Sequence, residues 1–224
     1  FSHLIGSGHH VGEQLVKNKH IKGAGFTGSL QAGRALFDIA TKRIDPIPVF
    51  AEMGSINPVI VFPKTIKENT RQIAQQIADS IVLGTGQFCT CPGLIVGIAN
   101  DDFDDFVGLI GSFLNTSSGG KMIHPNLKVN YDQLKEALVN NKTTQCITTP
   151  SKSNDKTCAA QTLLSIKGTD FLNQPEMHHE VFGPFALAVF CKDFSQVQQV
   201  IDSLGGQLTA TVFATDRELI EKKS

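Results

Sequence analysis

Apolar positions along the chain alternate between strand-like runs and stretches of helical period, and this rhythm predicts the elements. Ala32, Ala35, Leu36, Ile39 and Ala40 fall on one stripe and predict a helix over 30–42. A shorter helix is expected over 11–19, then a strand over 21–26 that ends in a Gly-rich turn. Pro46 and Pro48 stop the second helix and open a strand over 48–52. Gly54-Ser55-Ile56-Asn57-Pro58 separates it from a strand over 59–62. Thr65-Ile66-Lys67-Glu68 has the form of a capping box, so a helix should begin there. Ile66, Ile73, Ile77 and Ile81 with Ala74 and Ala78 make its apolar face, and Gly84 is its expected stop. A buried strand over 94–98 follows, then a helix over 103–114 opened by Asp101 and Asp102. A polar Gly/Ser loop is expected over 115–121, a helix over 131–139, and a weakly patterned loop or edge over 140–156. Strands over 163–166, 185–190 and 210–213, with a helix over 194–204, complete an α/β alternation.

Composition narrows the classes of function. Of 224 residues, 41% are hydrophobic and 18% charged, which is globular composition. Net charge is -1 with no like-charge run, so no footprint for nucleic acid or an anionic membrane is present. No apolar stretch reaches the roughly 20 residues that span a bilayer. Five widely spaced cysteines, Cys89, Cys91, Cys146, Cys158 and Cys191, do not read as a disulfide framework, and a reducing cytoplasm is the expected compartment. Phe1-Ser2-His3-Leu4-Ile5-Gly6 has neither the basic region nor the apolar core of a signal peptide, and its abrupt start suggests that both ends are cut from a longer chain.

Cys89 is the first residue with candidate chemistry. Gly86 and Pro92 bracket it, so it sits in a constrained turn between a helix end and a strand start. It reads either as a nucleophile or as a small buried hydrophobe. No His follows closely, so a Cys-His pair is not indicated. Glu52 ends an apolar strand beside Met53-Gly54. A carboxylate there either faces a cleft, where burial makes it a usable base, or is a solvated strand end. Cys91 forms C-x-C with Cys89, but the second ligand pair of a zinc site is missing, and the adjacent His178 and His179 make a poor chelate, so no metal is expected. Gly6-Ser7-Gly8 before His9-His10 lacks a full dinucleotide fingerprint. Gly25-Phe26-Thr27-Gly28-Ser29 offers turn amides and hydroxyls to a phosphate or ribose, or simply starts a helix capped by Ser29.

Taken in order, these segments resemble the aldehyde dehydrogenase superfamily. Phe26-Thr27-Gly28-Ser29 is similar to its cofactor-side turn, Glu52-Met53-Gly54-Ser55-Ile56-Asn57-Pro58 to its general-base motif, and Gly86-Gln87-Phe88-Cys89 to its nucleophile motif. Glu180-Val181-Phe182-Gly183-Pro184 is similar to the segment that holds the nicotinamide ribose, and 208–213 to a late strand of the catalytic domain. The resemblance implies a three-layer α/β/α catalytic domain over 53–224, preceded over 1–52 by the tail of a Rossmann-like cofactor domain. It implies Cys89 as nucleophile, Glu52 as general base, and Phe26, Thr27, Gly28, Ser29, Met53, Gly54, Glu180 and Phe182 as residues holding NAD or NADP. The implied partner is a small aldehyde, and the whole protein would be a homo-oligomer. The adenosine-binding half and the Asn that completes the oxyanion hole are expected before Phe1, and an oligomerisation strand after Ser224. Phe88-Cys89-Thr90 with Pro92-Gly93-Leu94 most resembles the branch that acts on α-ketoglutaric semialdehyde (2,5-dioxovalerate). Other aldehyde dehydrogenases, for succinate semialdehyde or fatty aldehydes, are the alternative. A non-catalytic scaffold of the same fold would typically have lost the nucleophile or base, and both are present. Ser55 departs from the family's usual glycine.

Overall fold

A computed structural model describes residues 1–6, 8–149, 155 and 157–221. Ser7 of the first Gly-Ser-Gly turn, and residues 150–154 and 156 of the weakly patterned stretch, lie outside the described residues. The chain divides into two compact units, Phe1–Gly54 and Ser55–Ser224.

In the first unit, α1 (Gly8–Lys17) and α2 (Leu30–Thr41) cover one face of two parallel strands, β1 (Ala24–Gly28) and β2 (Val49–Met53). Ala24 and Val49 join Val16, Leu36, Ile39 and Ala40 in a small core. Strand alternation puts Gly25, Thr27, Phe50 and Glu52 on the other face, in the register Gly25 to Phe50 and Thr27 to Glu52. Phe26, Thr27 and Gly28 are therefore strand residues, not the turn expected from their glycines. Ser29 is the helix cap, its hydroxyl accepting from Ala32 N–H at 3.3 Å.

The second unit is built on a six-stranded sheet. In chain order its elements are β3 (Pro58–Val61), α3 (Pro63–Val82), β4 (Leu94–Ile98), α4 (Asp101–Thr116), β5 (Gly120–Lys121), α5 (Pro125–Val139), β6 (Gln145–Cys146), β7 (Cys158–Ala159), β8 (Thr162–Lys167), α6 (Gly168–Leu172), β9 (Phe185–Cys191), α7 (Phe194–Asp202), β10 (Thr211–Phe213) and α8 (Asp216–Glu221). The sheet order is β10-β3-β4-β9-β8-β6, parallel except for the edge strand β6. Strands buried on both faces read as unbroken apolar runs. Ile95, Ala186 and Ala188 point to the side of α3 and α4, with Ile77, Ile81, Phe103, Phe106 and Ile110. Leu94, Val96, Leu187 and Val189 point to the opposite side, with Tyr131, Phe171, Val197 and Val200. The result is a three-layer α/β/α unit. Among the described residues no helix is long and apolar enough to cross a membrane.

The capping box expected at Thr65 is not one. Helix α3 starts two residues earlier, at Pro63, whose missing N–H and fixed φ suit a first helical position. Its exposed amides are met from far along the chain. The Glu218 carboxylate accepts from Lys64 N–H at 2.7 Å and from the Thr65 hydroxyl at 3.0 Å. Glu218 itself belongs to a real capping box: it accepts from Thr215 N–H at 2.9 Å while the Thr215 hydroxyl accepts from Glu218 N–H at 3.3 Å. Asn100, not Asp101, caps α4, accepting from Phe103 N–H at 2.9 Å.

Candidate active site

Three segments lead into three adjacent parallel strands: Ser55-Ile56-Asn57 into β3, the Cys89 turn into β4, and the segment after Glu180 into β9. Parallel neighbours start at the same edge, so these segments gather there. This is the amino end of the strands, opposite the carboxyl-end crevice that open α/β sheets usually use. Gly93 N–H donates to Ile56 O at 2.9 Å and Leu187 N–H to Gly93 O at 3.0 Å, tying the three together.

After α3 ends, the backbone turns through three successive left-handed residues: Gly84 (φ 55), Thr85 (φ 61) and Gly86 (φ 63). A β-branched residue there carries strain of about 1–3 kcal/mol. Gly86 is required for a second reason, since a Cβ would stand 2.3 Å from the carbonyl of Gly183. Gln87 straps the segment down: its amide donates to Gly84 O (3.0 Å) and Lys121 O (3.2 Å), and its carbonyl accepts from Ile123 N–H (2.8 Å).

Cys89 and Thr90 form the corner of a turn closed by Cys91 N–H donating to Phe88 O at 3.0 Å. Cys89 is exposed, which removes the reading of a buried hydrophobe. The Asn57 amide holds the turn from beneath, donating to Cys89 O at 2.8 Å and Cys91 O at 2.9 Å. Asn57 is 3% exposed and sits at φ 46, a conformation Asn tolerates better than most residues.

Cys91 faces inward. Its Sγ lies 3.8 Å from Ile81 O and 3.9 Å from Gly183 O. Burial, with the nearby Glu180 charge, pushes its thiol up to about 12. Burial also raises Glu180 above the ordinary carboxylate value, opposed by a hydrogen bond from the Ser55 backbone. Ser55, Cys91, His179, Glu180 and Phe182 border a cavity of about 20 Å³, room for about one water. The Tyr131 ring packs against Gly183, and its hydroxyl donates to Ala160 O at 2.5 Å.

A model of the aldehyde dehydrogenase family matches residues 1–224. The chain belongs to the aldehyde dehydrogenase family. It is 38% identical over 224 residues to an alpha-ketoglutaric semialdehyde dehydrogenase of Acinetobacter baylyi, covering all of this chain and 42% of that protein. It is 39% identical over 212 residues to alpha-ketoglutaric semialdehyde dehydrogenase 2 of Azospirillum brasilense, 95% of this chain and 40% of that one. The chain thus spans about two fifths of these relatives. Among solved structures, a NAD-dependent benzaldehyde dehydrogenase from Corynebacterium glutamicum superposes with a TM-score of 0.81 at 18% identity, over 97% of this chain and 47% of that one, which shares the fold.

Within this family member the residues singled out from sequence fall into two sets. Cys89, Glu180 and Phe182 lie in the second unit. Phe26, Thr27, Gly28, Ser29, Glu52, Met53 and Gly54 lie in the first. Of these, Phe26 and Met53 pack on Gly33 of α2, where a Cβ would lie 3.3 Å from the Phe26 ring and 2.3 Å from Met53 Sδ. They offer the open face little beyond backbone. Thr27 and Glu52 share that face. Glu52, the next-to-last residue of β2, is exposed, which matches the solvated strand end of the two readings open to it. Sequence reasoning quoted Asn57 and Gln87 within motifs without giving them a role, and it missed Tyr131 and Gln207, whose side chain accepts from Asn57 N–H. Asn57 carried a further local signal, an Asn-Pro pair at a strand start. Among the described residues no group of three or more His, Cys, Asp or Glu could hold a metal ion.

Proposed function

We propose that the enzyme carrying this chain oxidises an aldehyde to its carboxylic acid, with NAD or NADP as hydride acceptor and Cys89 as nucleophile. The observation that carries this is the Cys89 turn, an exposed thiol at a corner whose carbonyls are held by Asn57. A carbonyl carbon needs a nucleophile that can later leave, and a thiolate does both. Cys89 Sγ attacks the aldehyde carbon to give a thiohemiacetal, whose oxyanion the Cys89 N–H can meet. A nicotinamide held beside Cys89 would supply the hydride acceptor, and loss of hydride from the thiohemiacetal carbon would leave a thioester on Cys89. Water then attacks the thioester, with Glu52 taking its proton, and the acid departs as the thiolate reforms.

The side chains present fit a nicotinamide riboside. Thr27 supplies a hydroxyl on an open sheet face, where neighbouring Gly25 has nothing within 4 Å of a Cβ position. Gly28 and Gly54 are tied to each other in the same unit, Gly54 N–H donating to Gly28 O at 3.4 Å, and Ser29 caps the helix that follows. In the second unit, Glu180 offers a carboxylate for ribose hydroxyls and Phe182 a half-buried ring. For the aldehyde we propose 2,5-dioxovalerate, giving 2-oxoglutarate. Support comes from the two relatives above and from the segment around Cys89. A cytoplasmic homo-oligomer belongs to the same proposal.

Cys89→Ala and Cys91→Ala, assayed for aldehyde-dependent reduction of NAD(P)+, test the assignment. Cys89→Ala should abolish turnover and Cys91→Ala should retain most of it. Substantial turnover in Cys89→Ala together with its loss in Cys91→Ala would transfer the role to the inward thiol.

A further inference from the structure

Ser55 stands where the family's motif has glycine, and the structure gives that hydroxyl a purpose. Ser55 is 8% exposed. Its Oγ lies 2.8 Å from Asn57 Oδ1 and 3.1 Å from Gln207 Oε1, and accepts from Leu208 N–H at 2.9 Å. A hydroxyl has one proton, so the shorter contact to Asn57 takes it. Gln207 Oε1 in turn accepts from Ile56 N–H at 2.8 Å and Asn57 N–H at 3.2 Å. Thr209 completes the ring, its N–H and hydroxyl donating to Asn57 Oδ1 at 3.2 and 3.0 Å.

These donors fix which way the Asn57 amide faces. Three of them converge on Oδ1, so a flipped amide would set N–H against N–H on one side and oxygen against the Cys89 and Cys91 carbonyls on the other. Asn57 is thus locked with both donor hydrogens under the nucleophile turn. We infer that Gln207 and Ser55 are positioning residues: the segment around Gln207, far along the chain, aims the Cys89 thiol through Ser55 and Asn57. This rests on the reading of Cys89 as nucleophile. Gln207 touches neither thiol nor substrate. It fixes the backbone of the residue that holds the turn, while Ser55, itself held by Leu208 N–H, and Thr209 fix that residue's amide. Misplacing a reacting atom by about 1 Å can cost about 10²-fold in rate while binding survives.

The test compares Gln207→Ala, Gln207→Glu and Ser55→Ala with the parent enzyme, using 2,5-dioxovalerate and the preferred nicotinamide cofactor. Glutamate keeps an acceptor where Gln207 Oε1 stands, so it is the conservative rescue. In Gln207→Ala and Ser55→Ala, kcat should fall at least about tenfold with KM within about twofold, and Gln207→Glu should recover to within about threefold of the parent. Site-resolved alkylation by iodoacetamide, with exposed Cys146 as internal reference, should show Cys89 still reactive in all three. Gln207→Ala with kcat within twofold of the parent would overturn the inference. So would equal losses in Gln207→Ala and Gln207→Glu, or a loss of kcat accompanied by lowered thermal stability and an unreactive Cys89. Failure of the underlying reading shows separately, as turnover that survives Cys89→Ala.

Discussion

Gly86 and Gly183 meet backbone to backbone: a Cβ on Gly86 would stand 2.3 Å from both the carbonyl carbon and oxygen of Gly183. One lies three residues before Cys89 and the other three after Glu180, so two segments nearly 100 residues apart in sequence are registered through main chain alone. Gly183 has no slack to retreat. Its φ is 150, and a Cβ there would lie 2.4 Å from the Tyr131 ring. Backbone contact of this kind holds a site more rigidly than side chains with free rotamers.

Gly86→Ala should therefore be costly. The left-handed φ of 63 alone is worth about 1–2 kcal/mol against alanine, and the clash with Gly183 adds to it. We expect a loss of about 3 kcal/mol in urea unfolding, a large effect for a single methyl group. A loss below about 1 kcal/mol would mean that the turn relaxes freely.

Acid should loosen the start of α3. Burial pushes the Glu218 carboxyl up, but hydrogen bonds from the Thr215 and Lys64 amides and the Thr215 and Thr65 hydroxyls outweigh it, so its folded pKa lies below the ordinary value of 4.5. A depressed carboxylate contributes stability that is fully present above its unfolded pKa and is lost as pH falls through the folded one. The second unit should thus weaken below about pH 4.3. Glu218→Ala should cost about 2 kcal/mol at pH 7, since it removes the acceptor of the buried Thr65 hydroxyl and of the Thr215 amide. Its penalty relative to the parent should shrink on acidification, as read from melting curves at pH 7 and pH 3.

Glu52→Gln in the enzyme carrying this chain should separate acylation from deacylation. A base that activates water for thioester hydrolysis is not needed for hydride loss. The first turnover should give a burst of NAD(P)H, followed by a steady state slower by about 10²–10⁴-fold. A missing burst with normal later turnover would make Glu52 a structural residue of β2.

For the substrate, kcat/KM for 2,5-dioxovalerate should exceed that for propanal and for succinate semialdehyde. The reverse order would remove the branch assignment while leaving the family in place.

The legible parts of this protein were those that a short stretch of chain specifies. The apolar stripe over Ala32 to Ala40, the buried run of β4 and the cap at Ser29 depend on residues within one or two turns of each other, so periodicity and turn chemistry reveal them. The constrained turn at Cys89 was legible for the same reason, because Gly86 and Pro92 bracket it locally. Local reading also misled. Thr65-Ile66-Lys67-Glu68 has the right residues for a capping box, yet the cap of α3 comes from Glu218, 154 residues beyond Lys64. A carboxylate anywhere in the chain can satisfy a helix amide once folding brings it there.

Residue order alone determined the α/β alternation and the family, and it singled out the Cys89 turn. Tertiary structure decided how Cys89 is presented. Strands β3, β4 and β9 are neighbours although long segments of chain separate them, and only that sheet order sets Asn57 beneath the turn and Gly183 against Gly86. It also decided that Cys91, two residues from Cys89, is sequestered while Cys89 is exposed. Which of two nearby thiols meets solvent depends on what packs against the turn, and here that packing comes from Ile81 and Gly183, whose positions no local pattern encodes.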